Sequence, residues 1–315
     1  MEDYMSVKIL TVSSANMDLN MRVNECPLKG QTILGDSYAY VSGGKGANSA
    51  SAVAKLGGNS VFCAALGNDA NGKTLKGIYN EIGIDTSCIL TLDNAPTGLA
   101  TVTVEADGAN RIVVFSGANA ALTAEHAVKS AKECKPDAVF CHFEIPYDTV
   151  AAVSHYCYEN GIPLFVDAGP ASKDYDLSKL APMFVFSPNE TELEIFTGIS
   201  PETEEGLMQA AKKLETLVKA TYYILKLGGR GVAIYDGKSL EVIPTYDVKV
   251  VDTTAAGDSF TAALTLEYMR SKDIAHACRY GNAVASITVS RMGASDAIPT
   301  REELDAFISE KNIVL

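Results

Sequence analysis

The segment 250–260 joins a turn of small residues to an acidic side chain at the start of a predicted helix. Its sequence is VVDTTAAGDSF, in which an apolar strand ends, small residues follow and an amphipathic helix begins. Ala255, Ala256 and Gly257 leave the first backbone N–H groups uncovered, so these groups and the helix dipole can bind a phosphate. Asp258 lies in the first turn, where a carboxylate can accept the proton of a hydroxyl that attacks a phosphoryl group. Stabilisation of the helix N-terminus is the alternative role for Asp258, but that role does not require an uncovered turn.

A glycine-rich segment, VSGGKGAN at positions 41–48, leads from a strand into a second predicted helix. Its three glycines, among them Gly44 and Gly46, let the backbone approach a ligand closely. Lys45 could contact a transferred phosphate, and Asn48 could hydrogen-bond a sugar hydroxyl. The segment lacks the G-x-x-x-x-G-K-[ST] spacing of a P-loop. A tight strand-to-helix connection without function is the alternative interpretation.

Two further pairs of polar residues follow predicted strands. Asn16 and Asp18 come after the first strand, and they suit either vicinal hydroxyls or an ordinary turn. Asn189 and Glu192 come after the strand at 183–187, where an Asn and a carboxylate could hold hydrated Mg²⁺ near a triphosphate. The alternative for the second pair is a helix N-cap at Asn189 followed by acids in the first turn.

The fifth candidate segment breaks two strands with three glycines and carries one positive charge. It either covers a nucleotide or forms a simple turn. Its members are Lys226, Gly228, Gly229 and Gly231. All five segments follow predicted strands, at the edge of an open α/β sheet where ligands bind. Together they supply groups for hydroxyl binding, phosphate binding, a metal and a base.

The elements that must position these residues alternate between short apolar runs and helical patterns. The runs are rich in Val, Ile and Phe, which is typical of strands buried on both faces. They lie at 7–12, 61–65, 138–142, 163–167, 183–187 and 222–227. The segment 207–219 shows a helical apolar stripe. This alternation predicts an α/β fold, with a mostly parallel central sheet between two helical layers.

Two segments, 18–41 and 97–117, lack the helical period and resemble strands separated by turns. Within the second, the Asp107–Gly108 pair between two β-rich runs predicts a hairpin. We expect the two segments to form a small β-sheet lid over the main sheet. Surface hairpins without function are the alternative.

Composition restricts the classes of function. The 315-residue chain has a net charge of −13, which argues against a general nucleic-acid surface. Its seven cysteines are scattered without a C-x-x-C pair, so we expect reduced thiols rather than disulfides or a zinc site. No signal peptide is visible, and no apolar stretch reaches the ~20 residues of a membrane span. These features predict a cytoplasmic location and no membrane partner. Whether Met1 or Met5 is the natural start stays open.

Two motifs carry a resemblance to a known family. They are GGKGAN at 43–48 and DTTAAGD at 252–258, about 200 residues apart. With them the chain resembles the ribokinase/PfkB family of carbohydrate kinases, over nearly its whole length. The resemblance implies one domain over 1–315 with a three-layer core of nine-strand type and a β lid that clasps the lid of a second subunit. It also implies a homodimer that uses MgATP to phosphorylate the primary hydroxyl of a pentose, with D-ribose as the first candidate.

The resemblance also assigns roles to individual residues, with Asp258 as the base. The sugar-binding residues would be Asn16, Asp18, Gly44, Lys45, Gly46, Asn48 and Glu144. The nucleotide-binding residues would be Asn189, Lys226, Gly228, Gly229, Gly231, Gly257 and Asn282. Glu192 would organise Mg²⁺ through water. A monovalent cation, usually K⁺, would bind at loops that contain Asp252, Thr254, Thr288, Arg291 and Gly293.

Three positions depart from the family pattern. Lys226 stands where Thr is common, Asn282 stands where His is frequent, and Ala297 stands where a Ser completes the cation site. The Ala297 substitution puts the last cation ligand, and with it a requirement for K⁺, in question.

Other activities remain open. The same fold could act on deoxyribose, a nucleoside, fructose or a sugar phosphate, although the lid segments offer few basic residues for a second phosphate. A non-catalytic sugar-binding regulator would not need Asp258. A dinucleotide oxidoreductase would need G-x-G-x-x-G after its first strand, where SSAN stands at 13–16.

Overall fold

Short apolar runs form the central sheet of this protein, and amphipathic segments form the helices that cover it. The structure is a computed structural model that describes residues 7–315. The choice between Met1 and Met5 as the natural start lies outside these residues. Within them, no helix is both long and apolar enough to cross a bilayer.

The strands are short, as strands buried on both faces usually are. In chain order they are β1 Lys8–Val12, β2 Asn16–Arg22, β3 Ser37–Gly43, β4 Asn59–Cys63, β5 Ala65–Gly67, β6 Leu90–Leu92, β7 Gly98–Val104, β8 Asn110–Phe115, β9 Ala138–Cys141, β10 Leu164–Asp167, β11 Met183–Ser187, β12 Ala220–Lys226, β13 Val232–Tyr235 and β14 Leu240–Ile243.

Most of the α-helices connect one strand of the large sheet to the next. They are α1 Lys45–Lys55, α2 Ala70–Ile82, α3 Ala124–Cys134, α4 Tyr147–Glu159, α5 Glu190–Thr197, α6 Glu204–Leu217, α7 Ala256–Ser271, α8 Ile274–Val289 and α9 Arg301–Glu310. A short 3-10 helix, Gly117–Ala121, follows β8.

The large sheet has the strand order β14-β13-β12-β11-β10-β9-β1-β4. The six strands from β4 to β12 pair in parallel, whereas β12, β13 and β14 pair antiparallel at one edge. The α/β prediction is therefore confirmed. The expectation of nine strands is wrong for residues 7–315, where this sheet has eight. Strand β13 lies where the sequence predicts a strand after the glycine segment 226–231. Strand β14 was not predicted, because it has four residues and no continuous apolar run.

Alternate side chains of the same strands enter two separate cores. Leu10 and Val139 pack with α3, α4 and α6 on one face, while Ile9 and Phe140 pack with α1, α7 and α8 on the other. Burial on both faces explains why these strands read as continuous apolar runs. It also fixes the carboxyl ends of the parallel strands at one edge, where the candidate residues lie.

A second sheet has the order β3-β2-β7-β8 and is separate from the large one. Strands β7 and β8 lie within the predicted segment 97–117, whereas β2 and β3 extend two residues beyond the predicted bounds 18–41 at either end. Strands β7 and β8 form the expected antiparallel hairpin around Asp107 and Gly108. We call these four strands the lid.

Candidate active site

Helix α7 begins with backbone N–H groups that have no internal acceptor. The preceding Ala255 adopts a left-handed conformation (φ 62°), and no side chain caps the helix. Within residues 7–315, the N–H groups of Gly257 and Asp258 have no hydrogen-bond acceptor. A Cβ added at Gly257 would meet nothing closer than Lys226 Nζ at 3.7 Å. The helix start is thus an open anion-binding position.

The Asp258 carboxylate turns away from its own helix and contacts α1. Asn48 Nδ2 donates to Oδ2 at 2.8 Å, and Lys45 Nζ lies 3.3 Å from Oδ1. The carboxylate therefore does not act as a helix cap, which was the alternative role considered from the sequence. The negative charge of Asp258 raises the pKa of Lys45. Asp258 and Lys45 form an ion pair directly beside the open helix start.

Backbone conformation and close packing require glycine at several positions of the glycine-rich segment 41–48. Gly44 precedes α1 with φ 88°, which favours glycine. A Cβ at Gly46 would lie 2.5 Å from Ser14 O, and one at Gly43 would lie 2.0 Å from Asp18 Oδ2. The segment therefore packs its backbone against β2 and the loop before it.

Polar side chains from β2, α1 and the loop after β9 collect beside Asp258. Glu144 Oε2 accepts hydrogen bonds from Ser14 Oγ at 2.5 Å and from the Lys45 main-chain N at 3.1 Å. Asp18 Oδ1 and Asn48 Oδ1 are buried without a partner in the described chain. Burial, and then the charge of Glu144, raise the pKa of Asp18 to about 7. Unpartnered buried acceptors of this kind suit the hydroxyl groups of a bound polyol.

Asn16 and Asp18 lie at the start of β2 and not in a turn, so the turn interpretation of this pair was wrong. The two residues are separated by one position, so their side chains project from the same face of the strand. Asn16 is buried, and its Oδ1 accepts a hydrogen bond from Asn119 Nδ2 at 2.7 Å.

A cavity of about 490 Å³ lies on the other side of the α7 start. Six of the predicted nucleotide-binding residues line it, namely Lys226, Gly228, Gly229, Gly231, Gly257 and Asn282. Asn189 does not line it, and neither does Asp258. Sequence analysis missed the wall formed by Thr245, Tyr246 and Val250, because the loop after β14 carries no motif.

Asn189 and Glu192 form a capping box at the start of α5. Asn189 Oδ1 accepts from the Glu192 N–H, and Glu192 Oε2 accepts from the Asn189 N–H, both at 2.8 Å. The N-cap interpretation of Asn189 is therefore confirmed. Glu192 is nevertheless buried, burial raises its pKa, and its Oε1 lies where a Cβ on Gly169 would come within 2.4 Å.

A buried cluster that sequence analysis did not single out lies behind the site. Asp167 accepts hydrogen bonds from Lys226 Nζ and, at 2.9 Å, from Thr261 Oγ1. Burial raises the pKa of Asp167, but Lys226, His142 and Lys45 together outweigh burial and keep that pKa below its usual range. His142 Nε2 lies 3.8 Å from Asp258 Oδ1, and burial lowers the pKa of His142. Both residues end predicted strands at the ligand edge, and this position could have revealed them.

Three of the predicted monovalent-cation residues are close together. Asp252 accepts hydrogen bonds from the N–H and Oγ1 of Thr254 and from the N–H of Gly293. The guanidinium of Arg291 pairs with Glu303, so Arg291 could offer only its carbonyl oxygen. The hydroxyl of Thr288 donates to Val284 O, which leaves the lone pairs of Oγ1 as possible acceptors.

The fold and this arrangement define a class of protein, and comparisons with known proteins agree. The chain belongs to the pfkB family of carbohydrate kinases, whose profile matches residues 6–301. It is therefore a phosphotransferase with an alcohol acceptor.

Within this family the similarity is to ribokinases. The chain is 34% identical over 309 residues to ribokinase of Haemophilus influenzae, covering 96% of this chain and 98% of that one. The structure of Giardia lamblia ribokinase superposes with a TM-score of 0.88 at 29% identity, covering 97% and 99%. Arabidopsis thaliana ribokinase complexed with ribose and ATP gives a TM-score of 0.85 at 30% identity, covering 96% and 99%. Deoxyribokinase of Salmonella typhi is 28% identical, covering 96% and 98%.

Proposed function

We propose that this carbohydrate kinase transfers the γ-phosphate of ATP to the primary hydroxyl of D-ribose, giving ribose 5-phosphate. One observation carries the proposal: the Asp258 carboxylate lies at a helix start whose N–H groups are free, and Lys45 and Asn48 hold it there. This combination supplies a base and a phosphoryl-binding position side by side.

In the proposed reaction, Asp258 accepts the proton of the primary hydroxyl as its oxygen attacks the γ-phosphorus. The free N–H groups of Gly257 and Asp258 and the Lys45 ammonium stabilise the charge that spreads over the phosphoryl oxygens. The lid covers the sugar and excludes water, which limits ATP hydrolysis. Asp258 then loses the proton after the product leaves.

The sugar would bind between β2 and α1. Asp18 and Glu144 offer carboxylate acceptors there, and Asn16, Lys45 and Asn48 offer donors. Gly44 and Gly46 let the backbone of the glycine-rich segment pack closely against residues 13–16, which brings Lys45 and Asn48 beside the start of β2. The scarcity of basic side chains in the lid favours a neutral sugar over a sugar phosphate.

ATP would occupy the 490 Å³ cavity, with its phosphates toward Gly257. Mg²⁺ fits Glu192 through water, because one oxygen of that buried carboxylate is not used by the capping box. Bound Mg²⁺ would neutralise phosphate charge. K⁺ would bind near Asp252, Thr254 and Gly293, and Ala297 offers it no side-chain oxygen.

A coupled assay of ADP release across a panel of sugars tests this function. The panel contains ribose, deoxyribose, fructose, a nucleoside and ribose 5-phosphate, each with Mg²⁺ and with K⁺ exchanged for Na⁺. We expect the highest kcat/KM with ribose. A preference for deoxyribose would instead support the second candidate, which the similarity to deoxyribokinase favours. The absence of turnover with every sugar would contradict a kinase function, and a non-catalytic sugar-binding regulator would then be the remaining candidate.

Ribose binding should strengthen as the pH rises from 6 to 8. A sugar hydroxyl donates a stronger hydrogen bond to a carboxylate than to a carboxylic acid. In the protein without bound sugar, the pKa of Asp18 is about 7. Below that pKa the Kd for ribose should rise by up to about tenfold per pH unit. Titration calorimetry at pH 6, 7 and 8 measures this, and Asp18→Asn should remove the dependence. A wild-type Kd that does not change with pH would contradict the role of Asp18.

The same shift has a consequence for the unliganded protein. An acid whose folded pKa is raised keeps its proton in the folded state while the unfolded state has lost it. The free energy of unfolding should therefore decrease as the pH rises from about 4 to about 7. This contribution is absent in Asp18→Asn.

A second copy of this chain is the proposed partner of the lid. Strand β8 exposes apolar side chains, with Ile112 at 55% and Phe115 at 56%, and β3 exposes Tyr38 and Tyr40. Exposed apolar patches of this kind mark contact surfaces. Light scattering should give twice the mass of one chain, and Ile112→Lys should halve it; a monomeric wild type would contradict the proposal. A cytoplasmic location is also proposed, because all seven cysteines are free thiols.

A further inference from the structure

Asn119, which no motif identifies, is completely enclosed beside the sugar-binding strand. It lies in the 3-10 helix Gly117–Ala121, directly after the lid, and is 2% exposed. Its side chain makes three hydrogen bonds, all to Ala15 and Asn16 at the start of β2. A buried amide with this many partners has one fixed orientation.

The hydrogen bonds determine which amide atom points where. The Ala15 N–H can only donate, so the Asn119 atom that it contacts at 2.9 Å must be Oδ1. Nδ2 of Asn119 therefore donates, and it faces Ala15 O at 3.2 Å and an Asn16 side-chain atom at 2.7 Å. That Asn16 atom must be an acceptor, which is Oδ1. The Nδ2 group of Asn16 consequently points the other way, and it has no acceptor within residues 7–315.

Gly98 leaves the space that this contact requires. It is the first residue of β7, and a Cβ there would lie 2.2 Å from Asn16 Oδ1 and 2.4 Å from Asn119 Nδ2. Gly98 lies at the start of the lid segment 97–117, and Asn119 lies just after its end. The contact is thus formed where the two ends of that segment meet.

We propose that Asn119 is a positioning residue that holds the Asn16 amide with its NH₂ group toward the sugar. This inference rests on the proposed function, in which Asn16 contacts the sugar. With Asn16 held in this way, a donor stands beside the carboxylate acceptor of Asp18 on the same face of β2. A sugar hydroxyl can accept a hydrogen bond from the Asn16 amide and donate one to the Asp18 carboxylate, whereas a sugar carbon without a hydroxyl can do neither. Asn119 thereby determines which pattern of hydroxyl groups the site recognises.

The test is Asn119→Asp, which preserves shape and the acceptor for Ala15. The new carboxylate faces Asn16 Oδ1 with an acceptor, so the Asn16 amide turns and presents its oxygen to the sugar. We expect the Kd and KM for ribose to rise at least about tenfold, since a mispaired polar group weakens recognition strongly. The KM for ATP and kcat should stay within about twofold. Asn94→Asp, an exposed change of the same kind, should alter none of these constants.

A double-mutant cycle separates positioning from a purely structural role. In the Asn16→Ala background, Asn119→Asp should raise the Kd for ribose no further. A further increase there, or an equal loss in ADP binding and ribose binding, would overturn the proposal. If Asn119→Asp does not fold, Asn119→Ala takes its place in the same cycle, with a smaller expected increase. Wild-type protein without ribose kinase activity would refute the proposed function instead, and that result is obtained before any variant is made.

Discussion

Replacement of Asp258 by asparagine should lower kcat by ~10²–10⁴, the range expected for loss of a general base. Asparagine has the same shape, and its oxygen can still accept the hydrogen bond from Asn48 Nδ2. It cannot accept the proton of the attacking hydroxyl, so the chemical step alone is affected. The measurement is kcat at saturating ribose and ATP. ADP binding, followed by calorimetry, should be retained within about threefold, because the helix-start N–H groups are unchanged.

Asp174→Asn is the matched control for this experiment. Asp174 is exposed, and the change removes the same charge away from the site. Its kcat should equal that of the wild type. If Asp258→Asn turns over at a rate close to the wild type, Asp258 is not the base. If instead ADP no longer binds, the loss lies in the assembly of the helix start, and the proposed role is equally wrong.

Gly257→Ala is the second change with a large expected effect. The added Cβ would meet only Lys226, at 3.7 Å, so the protein accommodates it without a clash. The methyl group does, however, cover the open N–H groups at the start of α7, where the phosphoryl group must approach. We expect kcat/KM for ATP to fall by about 10²-fold, comparable to the loss of one oxyanion donor. Steady-state kinetics with varied ATP measures it.

Gly77→Ala controls for the general effect of alanine in a helix. Gly77 lies inside α2, and nothing is within 4 Å of its Cβ position. Alanine there should raise the free energy of unfolding by about 0.5–1 kcal/mol without changing kinetics. Thermal unfolding of Gly257→Ala should show a stability at or above that of the wild type. Unchanged kcat/KM for ATP in the folded Gly257→Ala variant would refute the phosphoryl-binding role of this turn.

Much of the fold could be predicted from local sequence, because buried parallel strands have a distinct composition. The strand at Met183–Ser187 appears with the predicted bounds, and the hairpin around Asp107 and Gly108 follows from the turn that this pair favours. The edge strand Leu240–Ile243 escaped prediction. Its place in the sheet is set by pairing with β13, which is a tertiary contact.

The candidate site likewise contains residues that could be predicted from the sequence and residues that could not. The segments around Lys45 and Asp258 could be identified, since small residues beside a charge at a helix start have few structural reasons. Asn119 could not, because a single polar residue in apolar surroundings carries no spacing signal. His142 could be placed at the ligand edge by its position at the end of a predicted strand, but its proximity to Asp258 could not be predicted. Their meaning depends on what the fold places opposite them, and those partners are distant in sequence.

The contact between Lys45 and Asp258 joins residues that are 213 positions apart. During synthesis on the ribosome, the contact between Lys45 and Asp258 can therefore form only after most of the chain has been made. Nascent or truncated chains that end before α7 should be inert toward ATP. The enzyme therefore gains activity only once α7 has been synthesised and folded. Unfinished chains do not consume nucleotide, and no inhibitor is needed to prevent it.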